Sequence, residues 1–299
     1  MQKEIERKSL IVSTIINTII TGAGLWVFTV SNIQALFIDF FFSFIALVST
    51  ILAVVISKQS IKKTKSYPDG LAFLEPLYAI LKSILTLVLL IFSAVVTSIA
   101  AYQYFAHGIG EAINIGPVLP YTISMVILCF GLGFFNKFQN KKINNLSTML
   151  AAESKSNFID GLQSFGIGVA IVFLFFVDKN GSLGFLHYTG DFFITIALVL
   201  MSLKQPIKMI MTSFKELSHG VTDDAVILST VDDVVKSHLG DSDMYKRCDV
   251  FKIGMHLKIR VLLHTDSNED TIHRLTEARQ KVLQELKMTY DSVELDFAF

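Results

Sequence analysis

Apolar residues run through the first two-thirds of the chain in long stretches, and after Pro206 they alternate with charged ones instead. A helix that crosses a bilayer needs about 20 mostly apolar residues at about 1.5 Å each. Six stretches approach or exceed that length: Leu10–Val30, Ile33–Ile56, Ala72–Tyr104, Val118–Phe135, Thr148–Val177 and Gly184–Leu203. The first is too long for a removed leader and lacks a small-residue cleavage site, so it is expected to remain as the first span. Beyond Pro206, periods of 3.6 and 2 predict a helix over Ala225–His238, a strand or bent strand pair over Val250–Leu263, a helix over Asn268–Leu286 and a strand over Ser292–Phe299. The expected fold class is a membrane α-helical domain of six transmembrane helices, residues 1–205, followed by a small two-layer α+β domain, residues 206–299.

Basic residues punctuate these stretches on alternate sides. Lys3, Arg7 and Lys8 precede the first, Lys58, Lys62, Lys63 and Lys65 follow the second, Lys137, Lys141 and Lys142 follow the fourth, and Lys204 and Lys208 follow the sixth. The opposite loops carry only Lys179. Short basic loops stay in the cytoplasm, so both termini and the tail domain are expected there. Composition agrees: 52% of residues are hydrophobic and 17% charged, which excludes an ordinary soluble enzyme. The formal charge of zero is a cancellation of +4 over residues 1–204 against −4 over residues 205–299, and neither half suits nucleic acid. Cys129 and Cys248 lie too far apart in sequence for a disulfide framework or a cysteine zinc site. No HExxH and no GxSxG is present, so an enzyme is not expected.

Ionisable groups at membrane depth are costly and mark function by default. Asp39 lies in the second span and Asp160 about twelve residues into the fifth. Ser43 follows Asp39 by four residues and Ser156 precedes Asp160 by four, a spacing that puts each pair on one helix face. Two such pairs supply the oxygen donors of a small cation site. Asn157 and Glu153 lie on roughly the same face as Asp160 and extend the site or its cytoplasmic mouth, whereas Lys155 lies off it and is expected to snorkel. Glu75 and Lys82 share a stripe of the third span. The plainer alternatives are that the serines allow close helix packing, as Ser164 and Gly168 also would, and that the aspartates bond helix to helix.

The segments Ala35-Leu36-Phe37-Ile38-Asp39-Phe40-Phe41-Phe42-Ser43 and Ala152-Glu153-Ser154-Lys155-Ser156-Asn157-Phe158-Ile159-Asp160 resemble the second-helix and fifth-helix motifs of the cation diffusion facilitator (cation efflux) family of proton-coupled divalent-metal exporters. The resemblance implies a transport site of Asp39, Ser43, Ser156 and Asp160 with Asn157 beside them. Ser43 stands where the family usually has a second aspartate, and Ser156 where it has histidine. Tyr67-Pro68-Asp69-Gly70-Leu71-Ala72-Phe73-Leu74-Glu75 keeps the family's proline, glycine and glutamate but not its histidines or basic residue. Also implied are a ferredoxin-like cytoplasmic tail, a homodimer, and a tail metal site from His256, Glu294, Asp296 and His238. The apolar strand positions of Phe251–Leu263, with Phe297 and Phe299, are the expected dimer face.

By this resemblance the chain exports a divalent cation from the cytoplasm by proton antiport, across a bacterial-type inner (plasma) membrane. It needs no cofactor, and its partners are the metal ion, membrane lipid and a second copy, not nucleic acid. Zinc prefers nitrogen and sulfur in a tetrahedron. A site of hard oxygens favours manganese, iron(II) or magnesium instead. Histidine is the usual proton carrier near neutral pH, and without one exchange falls to the two aspartates. The competing expectation is a degenerate homologue that no longer transports and serves as a regulatory or heteromeric partner.

Overall fold

A computed structural model describes all residues except 32–33, 61, 68–69, 111–114, 179–180, 182, 240–244, 265–268 and 299, and the side chains of 30–31, 34–39, 115–118, 170–171, 174, 191, 269–272 and 274 are likewise outside the described set. The six apolar stretches become α1 (Gln2–Ser31), α2 (Gln34–Gln59), α3 (Leu74–His107), α4 (Ile115–Lys142), α5 (Thr148–Phe175) and α6 (Leu186–Ser202). A seventh helix, α7 (Lys204–Leu217), follows after a single residue. It lies where the sequence suggested only a turn toward soluble composition. Its buried positions Pro206, Met209, Ser213 and Glu216 form one helical stripe, and the helix packs along α3 and also touches α5 and α6.

Among the described residues five stretches are long and apolar enough to cross a membrane: Gln2–Thr29, Phe40–Gln59, Leu74–His107, Leu119–Lys142 and Leu186–Leu217. The expected fifth span, α5, is not among them, and three residues of its second half, 170, 171 and 174, have side chains outside the described set. Within the bundle α1 packs on α2 and α4, α4 on α5, and α3 on α5, α6 and α7. Its polarity is inverted relative to a soluble protein. Trp26, Ile91, Ile127, Phe176 and Leu200 are exposed, while Ser13, Asn17, Thr50, Lys82, Asn136, Glu153 and Ser156 are buried. So continuous an apolar exterior would aggregate in water, and helices whose backbone bonds are internal are suited to lipid. Close approach of α4 and α5 depends on small residues: a Cβ on Gly161 would meet Phe130 at 3.2 Å and one on Gly133 would meet Phe158 at 3.3 Å. Gly168 is less constrained, with its nearest neighbour, Thr122 Oγ1, at 3.7 Å.

The tail comprises α8 (Ala225–Leu239), β1 (Tyr245–Ile253), β2 (His256–Leu263), α9 (Glu269–Thr289) and β3 (Val293–Ala298). Its sheet has the order β1-β2-β3, the first pair antiparallel and the second parallel through the α9 crossover. Leu257, Ile259, Val261 and Leu263 of β2 are buried with Ile227, Val231 and Val235 of α8 and Val282 and Leu286 of α9. The apolar β2 positions expected at a dimer face therefore lie in the chain's own core. By strand alternation the opposite sheet face carries His256, Lys258, Arg260, Glu294 and Asp296.

The β1–β2 turn is Gly254-Met255, with Gly254 at φ +58°, as a type II′ hairpin requires at its first central position. This tip is inserted between the helices. Met255 joins a core that includes Leu10, Ala53 and Tyr78, and its N–H donates to Glu75 Oε2 at 3.1 Å. Lys252 Nζ donates to Glu216 Oε1 at 2.7 Å and Thr148 Oγ1 at 2.8 Å, and the Thr148 hydroxyl donates to Glu216 Oε2 at 2.8 Å. Lys3 lies between Glu75 and Glu6, pairing with both. At the start of α1, the Gln2 backbone N–H donates to Asp291 Oδ2 at 2.6 Å, a carboxylate at a helix N-terminus.

Candidate functional site

Ser147 starts α5 by accepting the Leu150 N–H at 3.0 Å, and its own hydroxyl donates to Glu6 Oε2 at 2.7 Å. This anchoring sets the rotation of α5, and Ser156, Asn157 and Asp160 then follow on one face. Asp160 lies about 18 Å along the helix from Thr148. A cavity of about 210 Å³ is lined by Ser43 of α2 together with these three residues, and by Lys82, Thr86 and Gln163. Four of the five expected transport residues thus meet in one space. Asp39 lies four residues before Ser43 on α2, and its side chain is outside the described residues. Pro68, Asp69 and Phe299 also lie outside them.

Most polar atoms around the cavity are oxygens, with the sulfurs of Met125 and Cys129 also in its lining. Asn157 is 5% exposed, and its side-chain nitrogen has no hydrogen-bond partner among the described residues. Turning the amide over presents its oxygen at the same point. Among the described residues no three of His, Cys, Asp and Glu converge as a metal cluster. Beside the Asp160 carboxylate, the lining offers the hydroxyls of Ser43 and Ser156 and the amide of Asn157.

A second polar layer lies between this cavity and the tail domain. Lys82 Nζ is 3.2 Å from Glu153 Oε1, and these side chains are 5% and 0% exposed. Tyr78 also donates to Glu153 Oε1, and Ser49 Oγ lies 3.2 Å from the Tyr78 hydroxyl. Thr50 Oγ1 contacts Glu153 Oε2 at 3.3 Å and accepts from Asn17 Nδ2 at 2.9 Å. Sequence reasoning put Lys82 on a stripe with Glu75 and missed this pairing. The available signal was two opposite charges buried in separate apolar stretches, which must find each other or remain uncompensated. Lys155 is half-buried and faces a smaller pocket with Gln205 and Pro206, off the Asp160 face as expected.

In the tail, His256 Nδ1 lies 2.8 Å from Ser292 Oγ and its Nε2 lies 3.7 Å from Glu294 Oε2. Glu294 is also 3.9 Å from Lys63 Nζ. Asp296 is exposed two residues farther along the same strand face. His238 is in the helical layer instead, 2.6 Å from Glu285 on α9. The structure thus brings His256 and Glu294 together and leaves His238 apart. Burial, with Asp232 and then Asp249, pushes the Cys248 thiol up to about 12. Burial also opposes ionisation of Asp232, but Lys236 and Tyr245 outweigh it and hold that carboxyl below its ordinary range.

No curated protein matches the chain. The family model described as the cation efflux transmembrane domain matches residues 10–218, from α1 to the end of α7, including every residue that lines the cavity. The match spans well over half of the sequence, and the chain belongs to the cation efflux family, whose members carry cations across membranes.

Proposed function

We propose that the protein exports a divalent cation from the cytoplasm, taking manganese, iron(II) or magnesium ahead of zinc. The observation that carries this reading is the single cavity into which α2 and α5 bring Ser43, Ser156, Asn157 and Asp160. Asp160, and Asp39 four residues before Ser43, supply negative charge, while the hydroxyls and the amide replace water around the ion. α5 also spans the membrane, which brings the spans to six, and burial of Glu153 inside the bundle supports that role by sparing lipid its charge. The basic loops between spans support cytoplasmic termini and a bacterial-type inner membrane. The order α8-β1-β2-α9-β3 supports a ferredoxin-like tail that joins two copies into a homodimer, with His256, Glu294 and Asp296 as its metal ligands.

Export by alternating access needs a step that expels the ion on the far side. Protonation of Asp160 or Asp39 there removes the charge that held it, which makes the exchange a proton antiport. Reconstituted protein should carry manganese, iron(II) or magnesium faster than zinc, and Asp160→Asn and Asp39→Asn should each abolish flux. Equal flux in wild type and both variants overturns the proposal. The competing reading, a non-transporting regulatory partner, draws on the Lys82 ammonium in the cavity wall. Absence of flux for all four ions in intact wild-type protein would favour it.

A further inference from the structure

The two ends of the cavity along the bundle differ. On α3 its lining runs from Lys82 to Thr97, about 22 Å of helix leading away from the tail domain. Toward the tail its α3 lining ends at Lys82, whose ammonium pairs with Glu153, and Tyr78 and Thr50 close around that glutamate from α3 and α2. A pocket of about 10 Å³ shares Lys82, Thr86, Ser156 and Ile159 with the cavity and continues to Pro206 and Met209 on α7. Lys82 therefore stands between the cavity and the gap that leads toward the tail.

We propose that the Lys82–Glu153 ion pair is the latch that closes the tail-side end of the cation cavity, and that it must part for a cation to pass between Asp160 and the tail-side solution. The proposal rests on the transport reading above and adds a gating role to Lys82 and to Glu153, which the sequence put at the site or its cytoplasmic mouth. A lysine suits the part, being a compact charge on a flexible four-carbon stem that can swing without moving its helix. Opening without compensation strands a buried carboxylate, which keeps the latch shut at rest. A divalent cation arriving beside Glu153 supplies the positive charge that Lys82 gives up, so cargo and ammonium compete for one carboxylate. Tyr78 and Thr50 hold Glu153 in place throughout, so the lysine is the moving half.

The test is the accessibility of Ser93→Cys, a position lining the cavity beyond Lys82 as seen from the tail, with Cys129 and Cys248 replaced by alanine in full-length protein in vesicles. A cationic, membrane-impermeant methanethiosulfonate applied from the tail side should label it slowly. Lys82→Gln and Glu153→Gln should each speed labelling at least tenfold, and the exchange of both residues, Lys82→Glu with Glu153→Lys, should return it toward the slow rate. Labelling from the opposite side should stay constant and reports that the bundle is intact. Unchanged tail-side rates in intact single variants overturn the latch. Should the single variants fail to fold, the exchanged pair decides the matter: slow labelling supports the latch and fast labelling overturns it. Asp160→Asn in the same background should stop flux without altering labelling, so loss of the transport reading and loss of the latch give different results.

Discussion

Replacing Gly254 with alanine tests whether the tail hairpin is wedged into the bundle or merely rests against it. Gly254 has φ +58°, and an added Cβ would sit 2.6 Å from Glu75 Oε2 and 2.8 Å from Glu75 Cβ and Cδ. Two costs follow. A left-handed backbone on a residue with a Cβ costs about 1–2 kcal/mol. Retreat of Glu75 also breaks its charged hydrogen bond with the Met255 N–H, worth about 1.5–3 kcal/mol. The sum, about 2.5–5 kcal/mol, is a large share of the total for a protein stable by about 5–15 kcal/mol. Gly108 is a matched control: its φ is +68°, and a Cβ there meets nothing within 4 Å, so Gly108→Ala carries the backbone cost alone. Denaturation midpoints in detergent should fall for both variants and at least twice as far for Gly254→Ala. Trypsin should also release the tail faster from that variant. Equal midpoints for the two alanine variants would refute the wedge.

Lys252→Met leaves Glu216 buried without its cation and should cost about 3–5 kcal/mol, read as a lower denaturation midpoint; a loss below about 1 kcal/mol would show that the pair adds little. Ser43→Asp combined with Ser156→His restores a carboxylate and an imidazole to the cavity and should move flux preference toward zinc, checked by competition between zinc and manganese. Alkylation of Cys248, with Cys129 removed, should still be rising at pH 10, where an ordinary thiol with a value of about 8.5 has levelled off. A plateau near pH 9 would mean that burial and Asp232 do not hold the thiol protonated.

What the sequence made legible is local. Long apolar stretches located α1 to α6, and period-2 and period-3.6 patterns located the tail elements to within a few residues. The spacing of Ser156, Asn157 and Asp160 put them on one helix face, and they do line one cavity. α7 escaped because Pro206 resembles a break. That proline in fact lies in the helix's first turn, where its missing N–H costs no intrahelical bond. Cross-helix partners escaped for another reason, that helix rotation and register are tertiary quantities. The chain shows that Lys82 and Glu153 each need a partner but not the helix rotation that joins them, and it gives no sign that Glu75 accepts from Met255, 180 residues away. The dimer-face expectation for β2 misplaced buried strand positions in the same way, since period 2 shows that one face is covered and not by what.

The insertion of the hairpin tip among Glu75, Thr148 and Glu216 means that the exchangeable unit of this protein is not a contiguous piece of sequence. A chimera cut between α7 and α8 would carry a foreign hairpin into a socket shaped for Lys252 and Gly254. Grafting the tail from another member of the family therefore calls for transplanting three socket residues from α3, α5 and α7 along with it.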